Sequence, residues 1–318
     1  MTLITDIPDI QALLPRLQAA DPGVRRIAVI ELADLGEPDA LPWLIEALNH
    51  DADAAVRGEA ARRLEGWDEP DVVRALCKAL VDESQAVADA AAQSLSQLKA
   101  SVLGELLLPW VEHASPFARA SALRALKELR FAASAPLALR ALNDQDPTVR
   151  REAVGVLGWL KHAPAIPALA ECLRADTVPD VRRSAAGALG FAHAPEIVEA
   201  LRGALEDPLW PVREEAATTL GKVGDASAAS ALVAALADDY WQVRLRAARS
   251  AGRLKLTDAQ PALIELLSHD ISNLRKEAAL ALGELGDSAA LHALGNAAQD
   301  PDPEVRKAIR IALAQLQP

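Results

Sequence analysis

The chain has 318 residues, of which 51% are hydrophobic and only 3% are aromatic, a composition that suits packed helices better than β-sheets. Its formal net charge of −12 at pH 7 disfavours a nucleic-acid partner, because phosphate backbones attract basic surfaces. No stretch approaches the roughly eighteen uninterrupted apolar residues of a membrane-spanning helix, so no membrane partner is expected.

Two isolated cysteines, Cys77 and Cys172, lack any paired spacing and are expected to be buried free thiols. The N-terminal residues show no basic region followed by an apolar run, so no signal peptide is predicted. These two features together favour a cytoplasmic protein.

In chain order, an arginine returns every 31 or 32 residues and sets the register of a repeat. Self-similarity at this period indicates stacked supersecondary units, because one unit cannot bury its own apolar face. The arginines are Arg25, Arg57, Arg119, Arg150, Arg182, Arg213, Arg244, Arg275 and Arg306, and Ala88 fills the one gap. A polar turn before each arginine separates two predicted helices. We number the repeats 1 to 10, at residues 8–35, 38–66, 69–98, 100–130, 132–161, 163–193, 195–223, 226–254, 257–285 and 288–317, and expect one continuous body over residues 1–318.

Positions within a repeat are counted from this arginine, which is position zero. An alanine recurs at position +3 and a leucine at position +7, as in Ala153 and Leu157. Positions −1, +3, +7 and +10 share one helix face, so their side chains are predicted to form the core between neighbouring helices.

The pattern D-x-x-x-x-V-R, clear at residues 144–150 and 300–306, resembles HEAT repeats, and most nearly the short HEAT-like repeats of phycobilin lyases and their bacterial relatives. The resemblance covers nearly the whole chain and implies a right-handed all-α solenoid of about ten helix pairs. It also implies a stabilising ladder in which Asp144 pairs with Arg150, and likewise in the other repeats. Ala88, His113 and His269 interrupt that ladder, so repeats 3, 4 and 9 are expected to be looser.

The resemblance further implies that the second helix of each repeat lines the concave surface, where positions +1, +2, +5 and +9 should be exposed. Position +9 is aromatic in two successive repeats, at Trp159 and Phe191, and position +5 is then Gly155 or Gly187. A small residue one turn before a ring predicts a notch with an aromatic floor, and partly exposed rings are common binding anchors. Alternatively, the two rings only seal the helix ends.

Charged residues on the same surface predict the chemistry of a partner. Basic side chains, among them Arg151, Arg183, Arg246 and Arg249, outnumber acidic ones on these positions in repeats 5 to 9. A slightly positive inner surface on a negative molecule would favour an acidic peptide segment. The alternative is a solvated surface whose charges form salt bridges with one another.

The turns of three later repeats carry large apolar residues where most repeats are polar. Repeat 7 has Leu209 and Trp210, repeat 8 has Tyr240 and Trp241, and repeat 9 has Ile271. Stacking would align them into an aromatic edge, which is typical of contact surfaces. Alternatively, these side chains pack on the neighbouring repeat.

Sequence motifs give little support for catalysis, since there is no HExxH, P-loop, dinucleotide fingerprint or nucleophile elbow. The sequence therefore predicts a non-enzymatic scaffold without a cofactor, monomeric when free, that binds a partner protein through its concave face and aromatic edge. The alternative is an accessory factor or lyase subunit that handles a bilin or metal cluster on a client protein. A HEAT-like DNA glycosylase is disfavoured by the acidic balance.

Overall fold

The computed structural model describes residues 5–316, and within them the chain forms twenty α-helices in ten successive pairs and no β-strand. The predicted all-α solenoid class is confirmed. Contacts divide the chain after Leu160 into two compact units, the N-terminal unit and the C-terminal unit, and each is described by itself. The single continuous body stays a prediction, and residue 317 of repeat 10 lies outside the described residues.

The N-terminal unit contains the helix pairs of repeats 1 to 5. They are α1 (Pro8–Leu17) and α2 (Pro22–Asp34), α3 (Leu41–His50) and α4 (Ala54–Arg63), α5 (Pro70–Ala79) and α6 (Gln85–Leu95), α7 (Gly104–Leu107) and α8 (Pro116–Glu128), and α9 (Ala135–Ala141) and α10 (Pro147–Trp159). The short helix α7 continues into a 3₁₀ helix at Leu108–Glu112.

The C-terminal unit contains the helix pairs of repeats 6 to 10. They are α11 (Ile166–Ala175) and α12 (Pro179–Ala188), α13 (Pro195–Ala204) and α14 (Trp210–Val223), α15 (Ala229–Ala235) and α16 (Trp241–Arg253), α17 (Gln260–Leu266) and α18 (Ser272–Leu285), and α19 (Leu291–Asn296) and α20 (Pro303–Leu316).

Polar turns start many of the second helices. Asp53 and Asp146 accept hydrogen bonds from the backbone N–H groups of Ala55 and Thr148, at 2.9 and 2.8 Å, and so cap α4 and α10. Pro147 occupies the first position of α10, where the missing N–H has no helical partner to lose. The turn sequence thus fixes where the arginine-bearing helix begins.

Most of the predicted core positions are buried in both units, whereas position +10 is only half-buried in several repeats, as at Leu160 and Leu254. Ala153 and Ala247 at position +3 and Leu157 at position +7 have no exposed surface. Small side chains at +3 let neighbouring second helices approach closely. Glycine at position +8 allows a close approach in the C-terminal unit, where a Cβ on Gly252 would lie 2.8 Å from the Cα of Ala281.

A ladder of Arg–Asp ion pairs runs within each unit, but its pairing differs from the implied one. Arg119 of repeat 4 donates to Asp144 of repeat 5 at 2.7 Å, so each rung joins two successive repeats. Arg150 donates to the backbone carbonyl of Asp144, at 2.9 Å, and so braces its own turn. Further rungs within the two units are Arg25–Asp51, Arg57–Asp82, Arg182–Asp207, Arg213–Asp238 and Arg275–Asp300.

Two of the predicted interruptions belong to one missing rung. Ala88 and His113 stand 25 positions apart, at the two ends where an arginine and an aspartate would otherwise meet. His113 keeps part of the aspartate's role, since its Nδ1 accepts a hydrogen bond from the Ser115 N–H at 3.1 Å. Its ring also stacks on Trp110, with 5.0 Å between the ring centroids. Because position 88 is alanine, the missing rung leaves no guanidinium there without its carboxylate.

The interruption at His269 is different, because its arginine is retained. His269 Nδ1 accepts from the Ile271 N–H at 3.0 Å, so in the neutral imidazole Nε2 carries the hydrogen. That Nε2 lies 3.1 Å from Nη2 of Arg244, which can only donate. Nε of Arg244 is buried without an acceptor among the described residues. Repeat 9 is therefore joined to repeat 8 by a rung with two opposed donors.

Candidate functional site

The surface formed by positions +1, +2, +5 and +9 of the second helices is called here the second-helix face. Its predicted exposure is wrong at position +2, where Glu59, Glu152 and Glu277 are buried. Each of these carboxylates is covered by cations from its own helix or from the second helix before it. Burial of a charge is tolerated when it is paired in this way.

Glu152 on α10 gathers three cations around one carboxylate. Its side-chain oxygens lie 3.4 Å from Arg124, 3.3 Å from Lys127 and 3.3 Å from Arg151. Glu152 is only 6% exposed, whereas Arg124 and Arg151 keep much of their side chains in solvent. One carboxylate cannot neutralise three cations, so positive charge is left at the surface.

Trp159 lies on the same helix, one position before the N-terminal unit ends, and is 55% exposed. The guanidinium carbon of Arg130 stands 5.0 Å from the centroid of its ring, a cation–π geometry. Trp159 therefore presents a large apolar ring to solvent, held in place by a cation rather than covered by a neighbouring helix.

Sequence reasoning found Arg151 and Trp159 but missed Arg124, Lys127 and Arg130, because it considered only repeats 5 to 9. The usable signal was the spacing of 25 and 28 positions between a buried glutamate and the cations of the preceding repeat. We call these five side chains the basic–aromatic surface. Its four cations face two carboxylates, those of Glu152 and Glu128, so its net charge is +2.

Repeat 2 has a similar arrangement around Glu59, which accepts hydrogen bonds from Arg62 and Arg63 and lies 3.5 Å from Arg26. Burial raises the pKa of Glu59, but the hydrogen bonds from Arg62 and Arg63 outweigh it and hold the pKa below its usual range. The carboxylate therefore stays ionised and orders the cations around it. The second-helix face of the N-terminal unit thus shows an excess of cations in two places.

The two glycines of the predicted notch accommodate charged side chains. A Cβ on Gly155 would lie 3.1 Å from Cδ of Lys127, and a Cβ on Gly187 would lie 3.0 Å from a carboxylate oxygen of Glu215. Each glycine thus makes room for a long side chain of a neighbouring repeat. That these positions form a partner-binding notch stays a prediction.

The remaining predicted residues of repeat 6 lie in the C-terminal unit. Phe191 is half-buried and ends a 3₁₀ helix, Leu189–Phe191, that follows α12. Arg183 is exposed and forms no ion pair with any residue that the structure describes. Phe191 is thus less accessible than Trp159, and its role in binding stays a prediction.

Arg246 and Arg249, predicted to select acidic groups, are each paired with one glutamate of an adjacent repeat. Arg246 lies 3.0 Å from Glu214, and Arg249 donates two hydrogen bonds of 2.7 Å to Glu277. Those hydrogen bonds raise the pKa of Arg249. Paired one to one, these two arginines leave little charge for a partner.

The predicted aromatic edge forms part of the C-terminal unit. Trp210 and Tyr240 stack with 5.8 Å between ring centroids and 19° between planes, and Arg213 lies 5.5 Å from the Tyr240 ring. Leu209 and Tyr240 are 44% and 45% exposed, whereas Trp241 is half-buried. The turns are held by ladder aspartates, which accept from the N–H groups of Leu209 and Tyr240 at 2.9 Å. The aromatic edge is therefore partly exposed, at Leu209 and Tyr240, and its rings also pack between successive repeats, as Trp210 does on Tyr240.

Metal-ligating chemistry is not assembled in the described part of the chain, since no group of three or more His, Cys, Asp or Glu side chains is placed to hold an ion. Cys77 is buried, and burial raises the pKa of its thiol to about 12. Within residues 5–316 no helix is both long and apolar enough to cross a membrane.

The sequence matches the family of HEAT repeats over residues 10–96, 104–190, 173–244 and 231–314. The chain belongs to the HEAT-repeat family. The narrower likeness to phycobilin lyases stays a prediction. No curated protein sequence matches this HEAT-repeat chain.

Solved structures share this HEAT-repeat fold at low sequence identity. An engineered protein is 22% identical, with 98% of this chain and 99% of that one covered and a TM-score of 0.58. YibA of Escherichia coli is 22% identical, with 94% and 98% covered and a TM-score of 0.54. Kap95p, solved with RanGDP, is 15% identical, with a TM-score of 0.68 over 96% of this chain. The chain spans 49% of the length of Kap95p. At these identities the likeness shows the fold alone.

Proposed function

We propose that this HEAT-repeat protein is a non-enzymatic scaffold that binds an acidic segment of a partner protein on the basic–aromatic surface. The observation that carries the proposal is the exposed ring of Trp159, with Arg130 stacked on it and three further cations around Glu152. A rigid ring supplies contact area, and nearby cations select carboxylates.

Relatives of the same fold support a protein as the partner class. Kap95p was solved with RanGDP and in a complex with Nup1, so helix-pair repeats of this kind bind other proteins. The charge balance supports an acidic segment, because cations outnumber carboxylates on the basic–aromatic surface although the whole chain carries −12. Acidic peptides would thus be attracted locally by a molecule that repels them elsewhere.

Peptide binding measured by fluorescence anisotropy tests the proposal. The probe is a labelled peptide rich in Glu and Asp with one Leu and one Phe. Trp159→Ala should weaken its binding about tenfold, because an exposed anchor ring is lost. Arg151→Ala should weaken it about threefold, as expected for a partly screened charge.

Arg74→Ala serves as the matched control, because Arg74 is an exposed arginine on α5 that pairs with Asp71 of the same helix. Its affinity should stay within about twofold of the parent protein. Equal affinity for a peptide in which Lys replaces Glu and Asp, or full binding by Trp159→Ala, would contradict the proposal.

The aromatic edge is proposed as a second contact surface. Tyr240 is the more exposed of its stacked rings, so Tyr240→Ala should weaken capture of a partner that spans this edge without lowering affinity for the short acidic probe.

We also propose that the free protein is a cytoplasmic monomer. Sedimentation velocity should then show one species with the mass of a single chain, and a concentration-dependent dimer would contradict it.

A further inference from the structure

A cavity of 380 Å³ opens between α1, α2 and α3 of the N-terminal unit. Leu14 and Leu17 of α1 and Trp43 of α3 form much of its apolar wall. Its volume falls in the range of about 300–1,000 Å³ that small-molecule sites occupy. None of its lining residues belongs to the basic–aromatic surface or to the aromatic edge.

The cavity lies where α1 and α3, the first helices of repeats 1 and 2, make little contact with each other. In the same unit α3 packs along α5, but α1 packs on α2 and makes only slight contact with α3. Pro15, inside α1, lacks the N–H that would continue the helical hydrogen bonds, and α1 ends at Leu17. Trp43 therefore remains half-buried with one side on the cavity.

The electrostatics of the cavity favour a positively charged occupant. Arg25 and Asp51 line it as a closed ladder rung at 2.7 Å and cancel each other, which leaves the Glu46 carboxylate as the net charge. Both α1 and α3 end at this cavity, and a helix C-terminus carries partial negative charge. A tryptophan wall attracts cations through its π face. His50 lies 3.9 Å from Glu46 at the same end of α3.

We propose that this cavity binds a small organic cation, an amine or quaternary ammonium carried on a compact apolar body. The apolar body packs against Leu14, Leu17 and Trp43, and the cationic head lies near Glu46 and the end of α3. Such a site goes beyond the scaffold function, because its ligand is opposite in charge to the acidic segment and its residues are different.

Isothermal titration calorimetry with benzyltrimethylammonium tests the site on the full chain. A ligand of this size should bind with a Kd of about 1 mM. Phenylacetate, with the same ring and the opposite charge, should bind at least about tenfold more weakly. Glu46→Gln and Trp43→Leu should each weaken binding of the ammonium about fivefold.

Glu105→Gln, which removes an exposed carboxylate on α7, is the matched control and should leave the affinity unchanged. Circular dichroism of each variant separates loss of the site from loss of the fold. Equal binding of phenylacetate and the ammonium, or full affinity in Glu46→Gln and Trp43→Leu, would overturn the proposal. Equal affinity for Nα-acetyl-lysine amide would also overturn it, since a lysine side chain of a partner protein would then suffice.

Discussion

The second-helix faces of repeats 4–5 and of repeats 7–9 are built on the same helix positions but use their charges differently. In repeats 7–9, Arg246 pairs with Glu214 and Arg249 pairs with Glu277, one cation to one carboxylate. In repeats 4–5, three cations share Glu152 and a fourth stacks on the exposed ring of Trp159. In repeats 7–9 each of these cations is neutralised by its own carboxylate, whereas in repeats 4–5 the cations outnumber the carboxylates.

A count of charges on a repeat face therefore does not identify a binding surface. The deciding feature is whether an adjacent repeat places a carboxylate within ion-pair distance of each cation. Arg249 finds the carboxylate of Glu277 in the next repeat, whereas Arg124 and Arg151 must share one carboxylate with Lys127. Cations left in excess beside an exposed ring are those available to a partner protein.

Acid should produce the largest effect, because it removes the carboxylates on which the ladder of both units depends. Hydrogen bonds from Arg57 and from Arg275 hold the pKa values of Asp82 and Asp300 below the ordinary range. Burial raises the pKa of Asp207, but the hydrogen bonds from Arg182 outweigh it, so the net direction is also downward.

Because these folded-state pKa values are lowered, the stability they supply is complete above the ordinary Asp pKa of about 4 and is lost as the pH falls below it. The melting temperature should therefore be nearly constant from pH 8 to 5 and then drop by about 15 °C or more towards pH 3. A melting temperature that stays level down to pH 3 would show that the rungs contribute little.

Adding a methyl group at a glycine where two helices of the C-terminal unit pack closely should give the next largest effect. A Cβ on Gly283 would lie 2.8 Å from the Cα of Ala312 on the neighbouring helix, so Gly283→Ala should lower the free energy of unfolding by about 2 kcal/mol. Urea denaturation measures the change. Gly203→Ala on α13 is the control: apart from the adjacent backbone of its own helix, no described atom lies within 4 Å of the new Cβ, so it should be neutral or stabilise by up to about 1 kcal/mol. Equal effects of the two variants would contradict the close packing.

Repairing the defective rung should stabilise the protein. His269→Asp gives Arg244 a carboxylate in place of an opposed donor and should raise the free energy of unfolding by about 1 kcal/mol. His113→Asp is the matched control, because Ala88 stands where its arginine would be and no gain is expected. Thermal denaturation of the two variants distinguishes them, and a gain in both or in neither would refute the assignment of the rungs.

Breaking an ion pair on the second-helix face of repeats 7–9 should give the smallest effect. Glu214→Gln removes the carboxylate that holds Arg246 at 3.0 Å, so the C-terminal unit gains an available cation. In a Trp159→Ala background, affinity for the acidic probe should rise about twofold, as expected for one exposed charge. Fluorescence anisotropy at low and at high salt measures it. An unchanged affinity at low salt would mean that the ion pair with Glu214 is not what keeps Arg246 from binding the acidic probe.

Much of the fold could be predicted from the sequence, because each helix pair obeys local rules. The spacing of Arg150 and Arg182 gave the repeat length, and the alanines and leucines at +3 and +7 gave the buried face. The ladder was predicted with the wrong partner: the resemblance implied Arg150 for Asp144, and the stack instead brings Arg119 of the preceding repeat to that carboxylate.

The candidate site was predicted only in part. Trp159 and Arg151 were found because they break the pattern of the repeat, but Arg124 and Arg130 sit at ordinary positions. Which cations are neutralised depends on how far adjacent helices are shifted along their axes, because that shift decides which side chains meet. A single sequence does not give the shift. The same reason explains why Glu152 was expected at the surface and is buried.

Photo-crosslinking of the acidic probe, followed by mass spectrometry, tests most directly whether excess cations beside an exposed ring mark the partner surface. With the photoreactive group on the probe's Phe, we expect crosslinks on α8 and α10, concentrated near Arg130 and Trp159, and their loss in Trp159→Ala. Crosslinks concentrated instead on α16 and α18, around Arg246 and Arg249, would contradict the distinction between paired and excess cations.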